Sequence, residues 1–228
     1  MSARKVFDDI TNTIDYLTRA ELVAYPNTIS LHAERVSWHA YDVSDRLFAP
    51  REHPTINQYL SWLTAGAWSA ILFDGSLLQL TYELTGGEIS GHRLAYVPCP
   101  YDVDLALVRG GDPLADVIDL YRSGDAVLRS PIRFDFDARA AKPGHPAAHL
   151  TLNAVGCRIA CVAPMHVLRF VDFVFRNFYA GLWSTHQDFF GDAARRHIGS
   201  TVITEDDRQG PHLAWPVHAA PDTRAPMR

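Results

Sequence analysis

Cysteine is scarce in this chain. There are three among 228 residues (Cys99, Cys157 and Cys161), an odd number without a CxxC pair. A disulfide framework is therefore not expected, and reduced, buried thiols are. No apolar run approaches the roughly 20 residues of a membrane span. The N-terminal MSARKVFDDITNTIDYL has no signal-peptide core, so a cytoplasmic protein without membrane attachment is the expectation. Basic residues are not in excess: 21 Lys and Arg face 26 Asp and Glu, for a net charge of -5. That argues against coating nucleic acid through bulk charge, but leaves room for a local basic groove. Phosphate loops of the P-loop and GxGxxG types are absent, as are GxSxG and HExxH. No internal repeat is visible.

What remains is ordinary for a globular protein, with 47% hydrophobic and 21% charged residues. The length fits one large domain. Residues 1–200 are read as a single α+β domain. Residues 201–228, rich in Pro, Ala, Asp and Arg without periodicity, are read as a poorly ordered tail.

Val6, Ile10, Ile14 and Leu17 recur at helical spacing over residues 4–20. A short strand is expected within Ile29 to Trp38, a loop from Ala49 to Pro54, and a helix from Thr55 carrying Trp62 and Leu63 inward. Asp74-Gly75 between two apolar runs predicts a type I′ hairpin. Gly86-Gly87 leads into a third antiparallel strand over Glu88 to Val97. Asp112-Pro113 opens a helix to Tyr121. Strands are expected near 131–137, 148–153 and 157–162, the last two joined tightly through Ala154-Val155-Gly156. After Pro164, Val167, Phe170, Val171, Val174, Phe175 and Phe178 form an apolar helical stripe. Trp183 to Phe190 is a candidate aromatic docking patch. The sum is an α+β domain: a curved antiparallel sheet of about five to seven strands, with helices mainly on one face.

Two segments alternate with chemical consequence. In Arg133-Phe134-Asp135-Phe136-Asp137 the charges fall on one side and the phenylalanines on the other. In His149-Leu150-Thr151-Leu152-Asn153 the polar residues again share a side. Asp135, Asp137 and His149 would then be candidate ligands for a divalent metal, Mg²⁺ or Mn²⁺. Arg133 and Arg158 would stabilise phosphate charge, and His149 would be a ligand or a general base. Glu83 and His92, the latter beside a possible bulge at Gly91, would extend the face; His145 on a loop would be a further acid or base. The plain alternative is a solvated face with Arg133–Asp135 or Asp137–His149 ion pairs. His149-Leu150-Thr151 also matches one HxT element of two-histidine phosphoesterases, without a second copy. Cys157 and Cys161 sit in an apolar strand and read as inert thiols.

The blocks FDGSLLQLTYEL, GHRLAYVPCP, RSPIRFDFD, HPAAHLTLN, CRI and FRNFY, in that order from about Trp68 to Tyr179, resemble a family of bacterial proteins catalogued as a domain of unknown function. The resemblance implies a bacterial, single-domain protein and no particular activity. Arg133 to His149 is also similar to small TumE-like toxins, which are paired with antitoxins. That similarity implies a bacterial conflict or antiphage-defence system. The expectation is a metal-dependent domain processing phosphodiesters or nucleotides. The alternative is a non-catalytic subunit docking a larger nuclease, ATPase or toxin. A protein partner or homo-oligomer is expected, with nucleic acid or nucleotide as ligand.

Overall fold

The computed structural model describes residues 2–38, 55–104, 106–107, 112–152, 156–196 and 198–216. The expected loop at Ala49 to Pro54, residue Asn153 and most of the Ala154-Val155-Gly156 connection lie outside them.

Helix α1 (Ala3–Arg19) starts where the Ser2 side chain accepts from the Lys5 amide. It stops near Glu21, whose φ of 57° is left-handed. Strands β1 (Val23–Pro26), β2 (Ile29–His32) and β3 (Arg35–Trp38) follow. The single strand expected across 29–38 is thus a hairpin, turning at Ala33 with φ 52°. Helix α2 (Ile56–Thr64) is opened by a capping box between Thr55 and Gln58. Next come β4 (Ala70–Leu72), β5 (Leu77–Thr85), β6 (Glu88–Val97), α3 (Leu114–Tyr121) and β7 (Ile132–Asp137). The chain continues through β8 (Ala148–Leu152), β9 (Arg158–Cys161), α4 (Val167–Phe178), α5 (Ala180–Thr185), α6 (Gln187–Phe190), α7 (Glu205–Arg208) and β10 (His212–Leu213).

The two glycine-bearing turns differ from expectation in an instructive way. Of Asp74 and Gly75, only Gly75 has positive φ (83°). The Gly75 amide donates to Leu72 O and the Leu72 amide to Ser76 O. This is a three-residue loop with a left-handed glycine at its end, not a type I′ turn. Two residues do link β5 to β6: Gly86 and Gly87, at φ 61° and 81°, between Thr85 and its partner Glu88.

Among the described residues all strands join one open sheet of ten, more than the five to seven expected, in the order β1-β4-β5-β6-β7-β8-β9-β10. Strand β5 gives one edge to β6 and shares the other between β4 and β3; β2 pairs outside β3. Every pairing is antiparallel except β9 with β10. The segment read as a tail therefore docks in part. Its β10 covers the β9 edge, and Val162 and Ala163 pack against Ile203 and Trp215. Residues 217–228 lie outside the described structure.

Helices cover both faces, a correction to the one-sided packing. On one face α1 and α4 bury Ile10, Leu17, Phe170 and Phe175 against Leu80, Tyr82, Leu94, Phe134 and Leu150. His166 joins these helices: its Nδ1 accepts from the Leu168 amide, and its Nε2 lies 3.1 Å from Asp9 Oδ2. On the other face α2 and α3 bury Trp62, Leu63, Val117 and Ile118 against Trp38, Ile71, Leu77, Ala95 and Val97. That second helical layer reaches only one end of its face. The remainder of the face carries polar side chains.

The aromatic C-terminal stretch is not an exposed patch. Phe190 is buried, Phe189 stacks on Tyr16, and Trp183 lies beneath Arg176. Only Phe178 of the α4 stripe is exposed.

Candidate functional site

Residues directly opposite in an antiparallel ladder share a face. The register therefore writes the polar face as three rows running across the strands. The first is Gln79, Ala95, Arg133, Thr151 and Arg158. The second is Thr81, Arg93, Asp135, His149 and Ala160. The third is Arg35, Glu83, Gly91 and Asp137. Each row holds at least one arginine. Just beyond the third row, Arg139 reaches back to Asp137.

Asp135 is the hub. Arg133 Nε donates to its Oδ2 at 2.6 Å, His149 Nε2 lies 3.6 Å from the same oxygen, and Arg93 Nε is 4.0 Å from Oδ1. Both the Asp135 and His149 side chains are largely covered. His149 Nδ1 is 3.0 Å from Pro146 O, so in the neutral ring that nitrogen carries the proton. Nε2 is then left facing Asp135. Burial pushes the His149 pKa down, while the Asp135 charge and the Pro146 carbonyl pull it up. His145 packs edge-on against His149, with ring centroids 5.1 Å apart. Its pKa is also lowered, first by burial and then by Arg158 and Lys142.

Asp137 has a different task. Its Oδ1 accepts from the Arg139 amide at 2.9 Å and lies 3.3 Å from Arg139 Nε, which starts a short 3₁₀ turn. The metal set expected from Asp135, Asp137 and His149 is consequently not assembled. Among the described residues no three His, Cys, Asp or Glu side chains form a metal-ligand group. Two strand positions separate Asp135 from Asp137, and arginines engage both carboxylates.

His92 stands on the opposite, core face, between Tyr82 and Phe136. A bulge does occur beside it, but the extra residue is Ser90, and Gly91 still pairs with Glu83. His92 Nε2 accepts from the Met165 amide at 2.8 Å, and burial pushes its pKa down to about 4. It does not converge with Glu83, Asp135, His149 and Arg158, which the register places on the polar side.

The third row opens a polar depression of about 180 Å³, lined by Arg35, Thr81, Glu83, Arg93, Asp137 and Arg139. Arg35 and Arg139 were not singled out by the sequence. The only signal for Arg35 is its alternation with Val36. That alternation cannot show that β3 lies against β5. Cys161 is buried and its thiol pushed up to about 12 by burial, which fits an inert thiol; Cys157 is half-buried.

Among the described residues no helix is long and apolar enough to cross a membrane. No curated protein and no solved structure matches the chain, and the similarity to TumE-like toxins has no counterpart in these comparisons. One family model, DUF2290, described as an uncharacterized conserved protein, matches residues 21–215. That span takes in the whole sheet from β1 to β10, all three polar rows included, and the chain belongs to the DUF2290 family.

Proposed function

We propose that the polar sheet face binds phosphodiester or nucleotide anions. One observation carries the reading. A chain of net charge -5 gathers five arginines (Arg35, Arg93, Arg133, Arg139 and Arg158) around three carboxylates on one sheet face. Planar guanidiniums match phosphate oxygens two at a time, and a local excess of them concentrates anions. Asp135 holds Arg133 in place. Turnover at this face would draw on His149 and His145 for proton transfer, with Arg133 and Arg158 opposing charge at phosphorus.

Calorimetric titration with ATP and with pyrophosphate at low salt tests this. Wild type should bind, and an Arg93→Gln/Arg158→Gln variant with an unchanged circular dichroism spectrum should bind at least about tenfold more weakly. Equal affinity of the two proteins would overturn anion binding at this face.

A second reading, a non-catalytic docking subunit, is favoured by the exposure of Ile56, Val127 and Leu128 around a groove of about 210 Å³ beside Tyr59 and Trp62. The same titrations separate the two readings, because a docking subunit has no need of anion affinity.

A further inference from the structure

We infer that the ligand of this face is a single-stranded nucleic acid lying obliquely across the strands, rather than a mononucleotide; the inference rests on the anion-binding reading above. Thr151 marks one phosphate seat. Its Oγ1 is buried without a hydrogen-bond partner among the described residues. Its two cross-strand neighbours are Arg133 and Arg158. A native protein rarely buries a hydroxyl unpaired, and a phosphate oxygen admitted beside Arg133 and Arg158 would supply the partner. The depression lined by Arg35, Arg93 and Arg139 is a second seat.

The seats are two rows apart. Rows on one face repeat every two residues, about 6.8 Å, so the seats lie about 14 Å apart along the strands and, with Thr151 on β8 and the depression centred on β6, about 10 Å apart across them. That exceeds the reach of adjacent phosphates in a nucleoside triphosphate. It suits a polymer with regularly repeated phosphates, and Arg93 lies in the row between. The carboxylates decide between single and double strands. Glu83, Asp135 and Asp137 lie among the arginines and repel any phosphate, so the part of the ligand that faces them must be base and not backbone. Carboxylates accept hydrogen bonds from base amino groups, which an unpaired strand exposes. The face offers few aromatic rings for stacking, His145 over His149 being the nearest case. Binding should therefore follow the backbone, with little sequence preference and strong salt dependence.

The test is fluorescence anisotropy with a labelled mixed-sequence RNA of about 15 nucleotides, its duplex, and ATP as competitor. Single strand should bind at least about tenfold tighter than ATP, and tighter than duplex. Arg158→Gln and Arg139→Ala should each lower the salt slope by about 0.7, the value of one single-strand phosphate contact. The near-isosteric Thr151→Val should weaken RNA binding several-fold while leaving the melting curve in place. ATP binding without any gain for the RNA would overturn the single-strand inference and leave the anion site standing. Duplex binding as tight as single strand would also overturn it. Loss of both ligands would remove both readings.

Discussion

Arg133 and Asp135 sit two residues apart on β7 and hold each other through a 2.6 Å hydrogen bond, with 19% and 12% of their side chains exposed. The pair runs along one strand, so it stiffens the polar face without tying neighbouring strands together. Removing the acid breaks its bond to a nearly covered guanidinium and leaves His149 without its carboxylate. Asp135→Ala should cost about 2–3 kcal/mol in urea denaturation at neutral pH, and Asp135→Asn less. The His149 pKa, followed by NMR, should fall further in either variant, because the charge that raises it is gone.

His92 makes stability depend on acid. Its pKa is about 4 in the folded protein against an ordinary value of 6.5. The unfolded chain therefore binds the extra proton first. This contribution is complete above pH 6.5 and is lost as pH falls from 6.5 toward 4. The loss should be on the order of 3 kcal/mol, read from denaturant midpoints across that window. His92→Gln should be less stable at neutral pH and show a flatter profile.

Two left-handed glycines should respond unequally to alanine. At Gly75 a Cβ would meet Cys99 Sγ at 3.2 Å in addition to the backbone strain. At Gly86 nothing lies within 4 Å of the added atom. Gly86→Ala should cost about 1 kcal/mol from conformation alone, and Gly75→Ala clearly more. Paired thermal melts check the order.

Tyr179 closes a hydroxyl network over the hairpin loop. Its hydroxyl donates to Asp74 Oδ2 at 2.7 Å and lies 2.9 Å from the Tyr96 hydroxyl. Burial, followed by the charge of Asp74, pushes the Tyr179 pKa up. Tyr179→Phe keeps the ring packing and removes the donor. A loss of about 1–2 kcal/mol, or a few degrees in Tm, is expected in calorimetry.

The C-terminal segment should matter to assembly. Truncation after Ser200 uncovers the β9 edge and the Val162–Trp215 contact. The shortened protein should melt earlier and associate through the bared strand, visible as higher-mass species in light scattering.

Alternation by itself determined which side of β7 and β8 is polar. Phe134, Phe136 and Leu150 enter the core, and Arg133, Asp135, His149 and Thr151 share the other face. The same local rule located α1, the Thr55 start of α2 and the span of β6, because helix periodicity, capping chemistry and strand alternation act over a few residues. His92 was placed on the wrong side for the converse reason. The face a residue takes depends on register with the neighbouring strand, which one chain segment does not contain. Only the tertiary structure decided that β3 shares an edge of β5 and so brings Arg35 to Glu83. It also decided that α2 and α3 stop short of the Asp135 row and that β10 returns to seal β9. Those pairings join positions far apart in the chain. They are fixed by which apolar surfaces can be buried together, a property of the whole fold.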